Sequence, residues 1–258
     1  MALMSVRAHD DMPYPETALT RGSIFGRAFK SEKCECVRRW INIRRISVAK
    51  LLECKDMRTG VWTIGIDEVG RGALAGPLTV AAYATLQEKA DVQQFFSKTI
   101  RDSKKLSKAK RNNIYLSVRK NRKLNMCVYA IASASNTYVD KHGLTRATSY
   151  AAHMCLKGLQ KQGVDISKAL IQVDAGIKLI TQEIQGYTNY IKGDENYVCI
   201  ALASIMAKVS RDRYMTRLDV RYPGYAFSAH VGYGTAFHRR SIKNKGILPI
   251  HRKTFIKI

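Results

Sequence analysis

WTIGID at residues 62–67 and LTVAAYATL at residues 78–86, separated by the glycine-rich GRGALAGP at 70–77, decide how this chain folds. The first alternates apolar and small residues as a strand does, the second reads as another strand, and the glycines between them allow a sharp bend. Together they predict a β-hairpin. Downstream, residues 107–119 read as a basic helix after a loop at 102–105, 124–133 as a third strand, and 145–160 as a helix ending before Gly163. A short apolar strand at 169–173 runs into Asp174, and another at 187–191 ends at Lys192, Gly193 and Asp194. Helical spacing dominates from 195 to about 220, with apolar residues on nearly every side up to Val209, which predicts a helix buried at its start. From Tyr222 onward, Pro223, Gly224, Gly232, Gly234, Gly246 and Pro249 divide the chain into short helices and loops. Strands alternating with helices give an α/β sheet with a helical C-terminal addition.

Working outward, residues 1–56 differ in character. They are polar at first, then basic over 38–50, where Trp40, Ile41, Ile43 and Ile46 are mixed with Arg38, Arg39, Arg44 and Arg45. This segment is expected to be a basic extension, poorly ordered and kept soluble by its charge, with a nucleic-acid arm as the alternative. The chain of 258 residues has 44 Lys and Arg against 20 Asp and Glu, a formal charge of +24. Residues 1–56 hold 11 basic and 7 acidic residues, so +20 of that charge belongs to 57–258. Such an excess points to a polyanionic partner. With 46% hydrophobic residues there is material for a real core. No apolar run approaches the roughly 18 residues of a spanning helix, and no secretory signal is visible, so membrane insertion is excluded and a cytoplasmic location is expected. Three of the six cysteines lie inside apolar, core-like segments, so the thiols read as reduced, and only Cys34 and Cys36 are close together, without a second pair at zinc-finger spacing, which speaks against a structural zinc site.

Four acids stand out by position. Asp67 ends one strand with Glu68 beside it, Asp174 ends another, and Asp194 follows a third at the entrance to a helix. In an open α/β sheet the carboxyl ends of neighbouring strands converge on one edge. Acids gathered there repel one another, so the cluster is expected to hold divalent metal, and all-oxygen ligation suits Mg²⁺ or Mn²⁺. Successive strand residues face opposite sides, so Asp67 and Glu68 can share a site only if the strand has begun to turn, as Gly70 and Gly72 would allow. Taken singly, each acid reads as a turn or capping residue. Two metals at one edge would suit phosphodiester hydrolysis.

These residues belong to a longer pattern. The blocks GIDEVGRGALAGP (65–77), DSKKLS (102–107), VD (173–174), KGD (192–194), ASIMAKVSRD (203–212), YPGY (222–225), GYGT (232–235) and PIHR (249–252) closely resemble the ribonuclease HII family, in order, over residues 61–255. The resemblance implies a ribonuclease H-like fold, with a mixed five-stranded sheet flanked by helices and a small C-terminal helical region. It implies a catalytic domain at 57–220 and a substrate-binding region at 221–258. It further implies that Asp67, Glu68, Asp174 and Asp194 bind two divalent ions. Gly70, Arg71 and Gly72 match the motif that reads the ribose 2′-hydroxyl, Tyr233 matches the tyrosine that stacks on the following deoxyribose, and Lys104 and Lys105 resemble phosphate-contacting lysines. The implied activity is cleavage of the RNA strand of RNA/DNA hybrids and nicking of duplex DNA 5′ to an embedded ribonucleotide, leaving 3′-hydroxyl and 5′-phosphate ends. A monomer is expected.

Ala175, Gly143 and Val231 depart from the residues usual in the family at those positions. Met57 stands just before the usual beginning of the fold, so the functional product is expected to start there. Two other classes remain open from sequence: a basic, non-catalytic nucleic-acid-binding protein in which the acids are turn residues, and another nuclease of the same fold that cuts branched DNA.

Overall fold

A strand buried at all nine positions needs cover on both faces, and Leu78–Leu86 (β2) is such a strand. The computed structural model, which describes residues 60–86, 106–123, 127–180, 184 and 186–256, places it between Trp62–Val69 (β1) and Val128–Ala134 (β3), antiparallel to both. On the far side of β1, Leu170–Asp174 (β4) and Thr188–Tyr190 (β5) run parallel to it, giving the order β3-β2-β1-β4-β5. The hairpin and the mixed five-stranded sheet are as the sequence implies. The helices are Lys108–Lys123 (α1), Asn136–Gln160 (α2), Gly193–Asn196 (α3), Val198–Arg221 (α4), Phe227–His230 (α5) and Ala236–Lys245 (α6), followed by a 3₁₀ turn at Lys253–Phe255. Among the described residues no helix is long and apolar enough to cross a membrane.

Strand parity sorts the two faces. Gly65 and Asp67 pair with Tyr83 and Ala81, and on that side Tyr83 and Ala81 pack with Tyr115 and Val118 of α1 and with Cys199, Leu202 and Met206 of α4. The other face meets α2, whose Cys155 thiol donates to the carbonyl of Val80 at 3.3 Å. α4 comes closest at Gly65, where a Cβ would collide with the backbone of Cys199 and Ile200. That contact explains the glycine and seats the apolar start of α4 on the central strand.

Two helices differ from the sequence reading. α2 begins at Asn136 rather than 145, because Ser135 caps it by accepting from the Tyr138 N–H at 3.1 Å. Gly143, at φ 75° and ψ 167°, interrupts it, a conformation that L side chains avoid. The helix expected from 195 is two helices, because Tyr197 is extended at φ −121° between α3 and α4. The C-terminal region packs Tyr225, Phe227 and Ile242 on Met215 and Leu218 of α4 and on Leu74 and Ala75 of the bend. Residues 1–59, including the basic extension and Met57, and Lys104 and Lys105 lie outside the described residues.

Candidate active site

β1, β4 and β5 are parallel, so their carboxyl ends share one edge. Ile66 pairs with Val173, so Asp67 and Asp174 follow directly on neighbouring strands and, by parity, on the α4 side. Asp67 is buried there. The N–H of Glu68 donates to its Oδ1 at 2.7 Å, and Ser204 on α4, one turn beyond Ile200, donates its hydroxyl. Burial first, then the charges of Glu68 and Asp174, hold the Asp67 carboxyl well above the usual range, against the lowering effect of those donors.

Glu68 corrects the expectation of an early turn. β1 stays paired with β2 through Val69, so the strand has not bent at Glu68. The β1–β4 ladder, however, ends at Ile66, and beyond it the longer Glu68 side chain brings its charge to bear on both aspartates. Burial raises the Glu68 carboxyl, Arg71 opposes this, and Asp174 adds to it. Arg71 Nη1 donates to Glu68 Oε1 at 3.3 Å and to the carbonyl of Gly176 at 2.8 Å. Glu68 Oε2 is buried with no hydrogen-bond partner.

Asp174 is tied to the start of α3 by the Gly193 N–H, which donates to its Oδ1 at 2.8 Å. Asp194 follows as a buried residue of α3, not as its cap, which is Lys192 in the left-handed region at φ 54°. All four acids thus come from the shared edge, although among the described residues no three acidic, histidine or cysteine side chains are arranged to hold a metal ion as they stand.

Tyr233 belongs to a wall beside the bend, where it forms an isolated bridge with Ala73 and is partly exposed. Here the structure shows residues whose roles the sequence did not reveal. Arg211, fully buried on α4, donates to the carbonyls of Pro77 (3.1 Å), Val231 (2.7 Å) and Ala75 (3.2 Å), and its guanidinium lies 5.7 Å from the centre of the Tyr233 ring. Gly70, at φ 89°, leaves no room for a Cβ against that guanidinium. Val231 holds φ 44° and ψ 38°, strained for a β-branched residue, with its carbonyl fixed by Arg211.

Three buried histidines complete the wall. His238 Nδ1 faces the carbonyl of Tyr233 at 2.9 Å and so carries its proton. Its Nε2 therefore accepts from His251 Nε2 at 3.1 Å, and His251 Nδ1 accepts from the Leu248 N–H at 2.8 Å. His230 donates from Nε2 to the Tyr225 carbonyl at 2.7 Å and accepts at Nδ1 from the Gly232 N–H at 3.2 Å. All three are satisfied as neutral rings, and burial pushes His238 down to about 4. The signal in the sequence was only three histidines in a basic tail.

A family model for Ribonuclease HII matches residues 64–258. The chain belongs to the ribonuclease HII family. Ribonuclease HII of Shouchella clausii is 39% identical over 191 residues, covering 74% of this chain and 67% of that one. Among solved structures, the ribonuclease HII in a complex with PCNA from Archaeoglobus fulgidus superposes with a TM-score of 0.60 at 23% identity, covering 77% of this chain and 96% of that one. Bst-RNase HIII in complex with Mn²⁺ gives a TM-score of 0.53 at 20% identity, covering 72% and 63%. Membership makes this chain a ribonuclease H, of the endonuclease class that cleaves the RNA strand of RNA/DNA hybrids and depends on divalent metal. The donor set fits that requirement. It consists of hard oxygens, the charges of Asp67 and Glu68 are destabilised by burial and by neighbouring carboxylates, and Glu68 Oε2 lacks a partner that a cation would provide.

Proposed function

We propose that the chain nicks duplex DNA on the 5′ side of an embedded ribonucleotide, as well as cutting the RNA of hybrids, and leaves 3′-hydroxyl and 5′-phosphate ends. Asp67, Glu68, Asp174 and Asp194 would hold two divalent ions, Mg²⁺ or Mn²⁺. When bound, such a pair supplies an activated water and stabilises the leaving oxygen of an in-line displacement. The observation that carries this reading is the buried, partnerless Glu68 Oε2 beside an Asp67 whose charge the fold opposes.

The chain's own residues prepare the edge. The Ser204 hydroxyl and the Glu68 N–H orient Asp67, the Gly193 N–H orients Asp174, and Arg71 tethers one oxygen of Glu68 while leaving the other available. Gly70, Arg71 and Gly72 lie at the bend just beyond β1, where their backbone would meet the 2′-hydroxyl and the scissile phosphate. Tyr233, 37% exposed, would stack on the deoxyribose after the ribonucleotide, and Lys104 and Lys105 would contact phosphate. In this reading residues 57–220 form the catalytic domain and 221–258 the substrate-binding region of a cytoplasmic monomer.

The test is a duplex carrying one ribonucleotide, incubated with full-length protein in Mg²⁺ or in chelator. A single nick 5′ to the ribonucleotide, in Mg²⁺ only, is expected. Cutting of an all-DNA branched substrate instead, or binding without cleavage, would replace this reading.

A further inference from the structure

Every backbone N–H in the bend after β1 needs an acceptor, and counting them leaves the peptides at its start without one. The Ala73 N–H donates to the Gly70 carbonyl at 3.4 Å, those of Leu74 and Ala75 to the Gly232 carbonyl at 2.8 and 3.2 Å, and that of Gly76 to the Ile250 carbonyl at 2.9 Å. Among the described residues nothing accepts from the N–H of Arg71 or Gly72. The carbonyl of the peptide joining these two is nevertheless fixed: Arg252 Nη1 donates to the Arg71 oxygen at 2.7 Å. A trans peptide carries its C=O and N–H on opposite sides, so a carbonyl drawn inward turns the Gly72 N–H outward.

Gly72 and Gly70 differ in a telling way. Gly70 is required by its positive φ and by Arg211 against it, whereas Gly72 is exposed, has no positive φ, and a Cβ built there meets nothing within 4 Å. The fold itself makes no steric demand for glycine at 72. A ligand approaching that N–H closely would make one.

Arg252 is unusually well placed to control this peptide. It is fully buried, its own N–H donates to the Leu74 carbonyl at 2.8 Å, and its Nε donates to the Gly76 carbonyl at 3.1 Å. Its segment is pinned to α2, where Asn136 Nδ2 donates to the carbonyls of Pro249 (2.9 Å) and His251 (3.1 Å), and Asp140 accepts from the Lys253 N–H at 2.9 Å. Its hydrogen bonds go to carbonyls, and Nη2 is buried without a partner. A buried cation is a costly way to satisfy carbonyls alone. A rigid fork whose N–H groups diverge can, however, span two of them at once, which lysine cannot do.

We propose that Arg252 is a positioning residue: its guanidinium locks the Arg71–Gly72 peptide so that the Gly72 N–H points at the ribose of a bound strand and donates to its 2′-hydroxyl or adjoining phosphate. This rests on the reading of residues 70–72 given above. The group recognised is the sugar edge of a ribonucleotide within a duplex, and Arg252 itself touches no substrate.

The experiment compares wild type, Arg252→Lys, Gly72→Ala and the double variant in the full chain. It measures kcat/KM on the single-ribonucleotide duplex and the inhibition constant of an all-DNA duplex of the same sequence. Arg252→Lys should lower kcat/KM about tenfold, the loss expected when one strong hydrogen bond is misdirected, with the all-DNA constant changed less than about twofold. Gly72→Ala should do likewise without loss of thermal stability, and the double variant should be no worse than the poorer single, because both act on one contact. Equal losses on the two duplexes, or additive losses in the double variant, would overturn the proposal. Should Arg252→Lys fail to fold, amide exchange of the wild type decides: the Gly72 N–H should exchange freely in the unbound chain and become protected by the ribonucleotide duplex but not by all-DNA. Protection before binding, or equal protection by both, would refute it. A wild type that leaves the ribonucleotide duplex uncut removes the functional reading and this inference together, whereas a cutting enzyme indifferent to both substitutions removes the inference alone.

Discussion

At the sheet edge the buried Asp67 and the half-buried Glu68 have their charges opposed and one oxygen left unpaired, whereas behind the bend His230, His238 and His251 find a partner for every ring nitrogen. Both regions bury polar side chains, yet only the three histidines are satisfied at every polar atom. The difference separates two uses of buried polarity. A closed network stiffens the wall that carries Tyr233, while an open one leaves coordination to something that binds. Arg71 joins the two: its guanidinium holds Glu68 and its carbonyl is held by Arg252.

The comparison breaks most severely if an edge acid proves to be merely structural. Asp67→Asn should lower cleavage by at least about a thousandfold, some 4 kcal/mol of barrier, while leaving the melting temperature in chelator unchanged or higher, since it removes a charge the fold opposes. Marked unfolding of that variant would make Asp67 a scaffold residue. A smaller effect is expected at the wall. Tyr233→Ala should reduce preference for an RNA-to-DNA junction by about tenfold, the worth of one stacking contact, and weaken overall hybrid binding less, because phosphate contacts are spread over the duplex. Equal losses on both substrates would remove its stacking role.

The smallest effect is in the sign of a pH slope. Asp67 and Glu68 are held above the ordinary range, so the folded chain keeps protons that the unfolded chain releases near pH 4. That contribution is full in acid and is lost as pH rises through the raised values. His238, held at about 4 against an ordinary 6.5, acts oppositely: its contribution is full above about pH 6.5 and is lost as pH falls toward about 4. In chelator the two oppose each other. Saturating Mg²⁺ should cancel the carboxylate part, so the melting temperature should rise more steeply with pH over that window in Mg²⁺ than in chelator. Identical slopes would place the cation elsewhere.

The strands were legible because glycines and acids punctuate them, and the shared edge followed from Asp67 and Asp174 ending strands and Asp194 standing just past a third, whereas the mixed order of the sheet came from the family resemblance. Helix boundaries were less so: Ser135 caps α2 well before its apolar face begins, Gly143 breaks the helical spacing, and Tyr197 divides what reads as one helix. The clamp was not legible at all. Arg211 on α4 and Arg252 in the basic tail look like ordinary surface residues, and both are held by carbonyls that lie far away in sequence, such as Ala75 for Arg211 and Arg71 for Arg252. Ser204 sits inside a quoted motif, yet only the crossing of α4 over Gly65 brings it to Asp67.

The central claim is that four side chains at one sheet edge hold the divalent ions. Titrating Mn²⁺ into the wild type and into Asp67→Asn, Glu68→Gln, Asp174→Asn and Asp194→Asn, followed by calorimetry, tests it directly. Each amide should weaken binding by at least about tenfold, in line with the loss of a group that orients or ligates a metal. Wild-type affinity in all four variants would contradict the account.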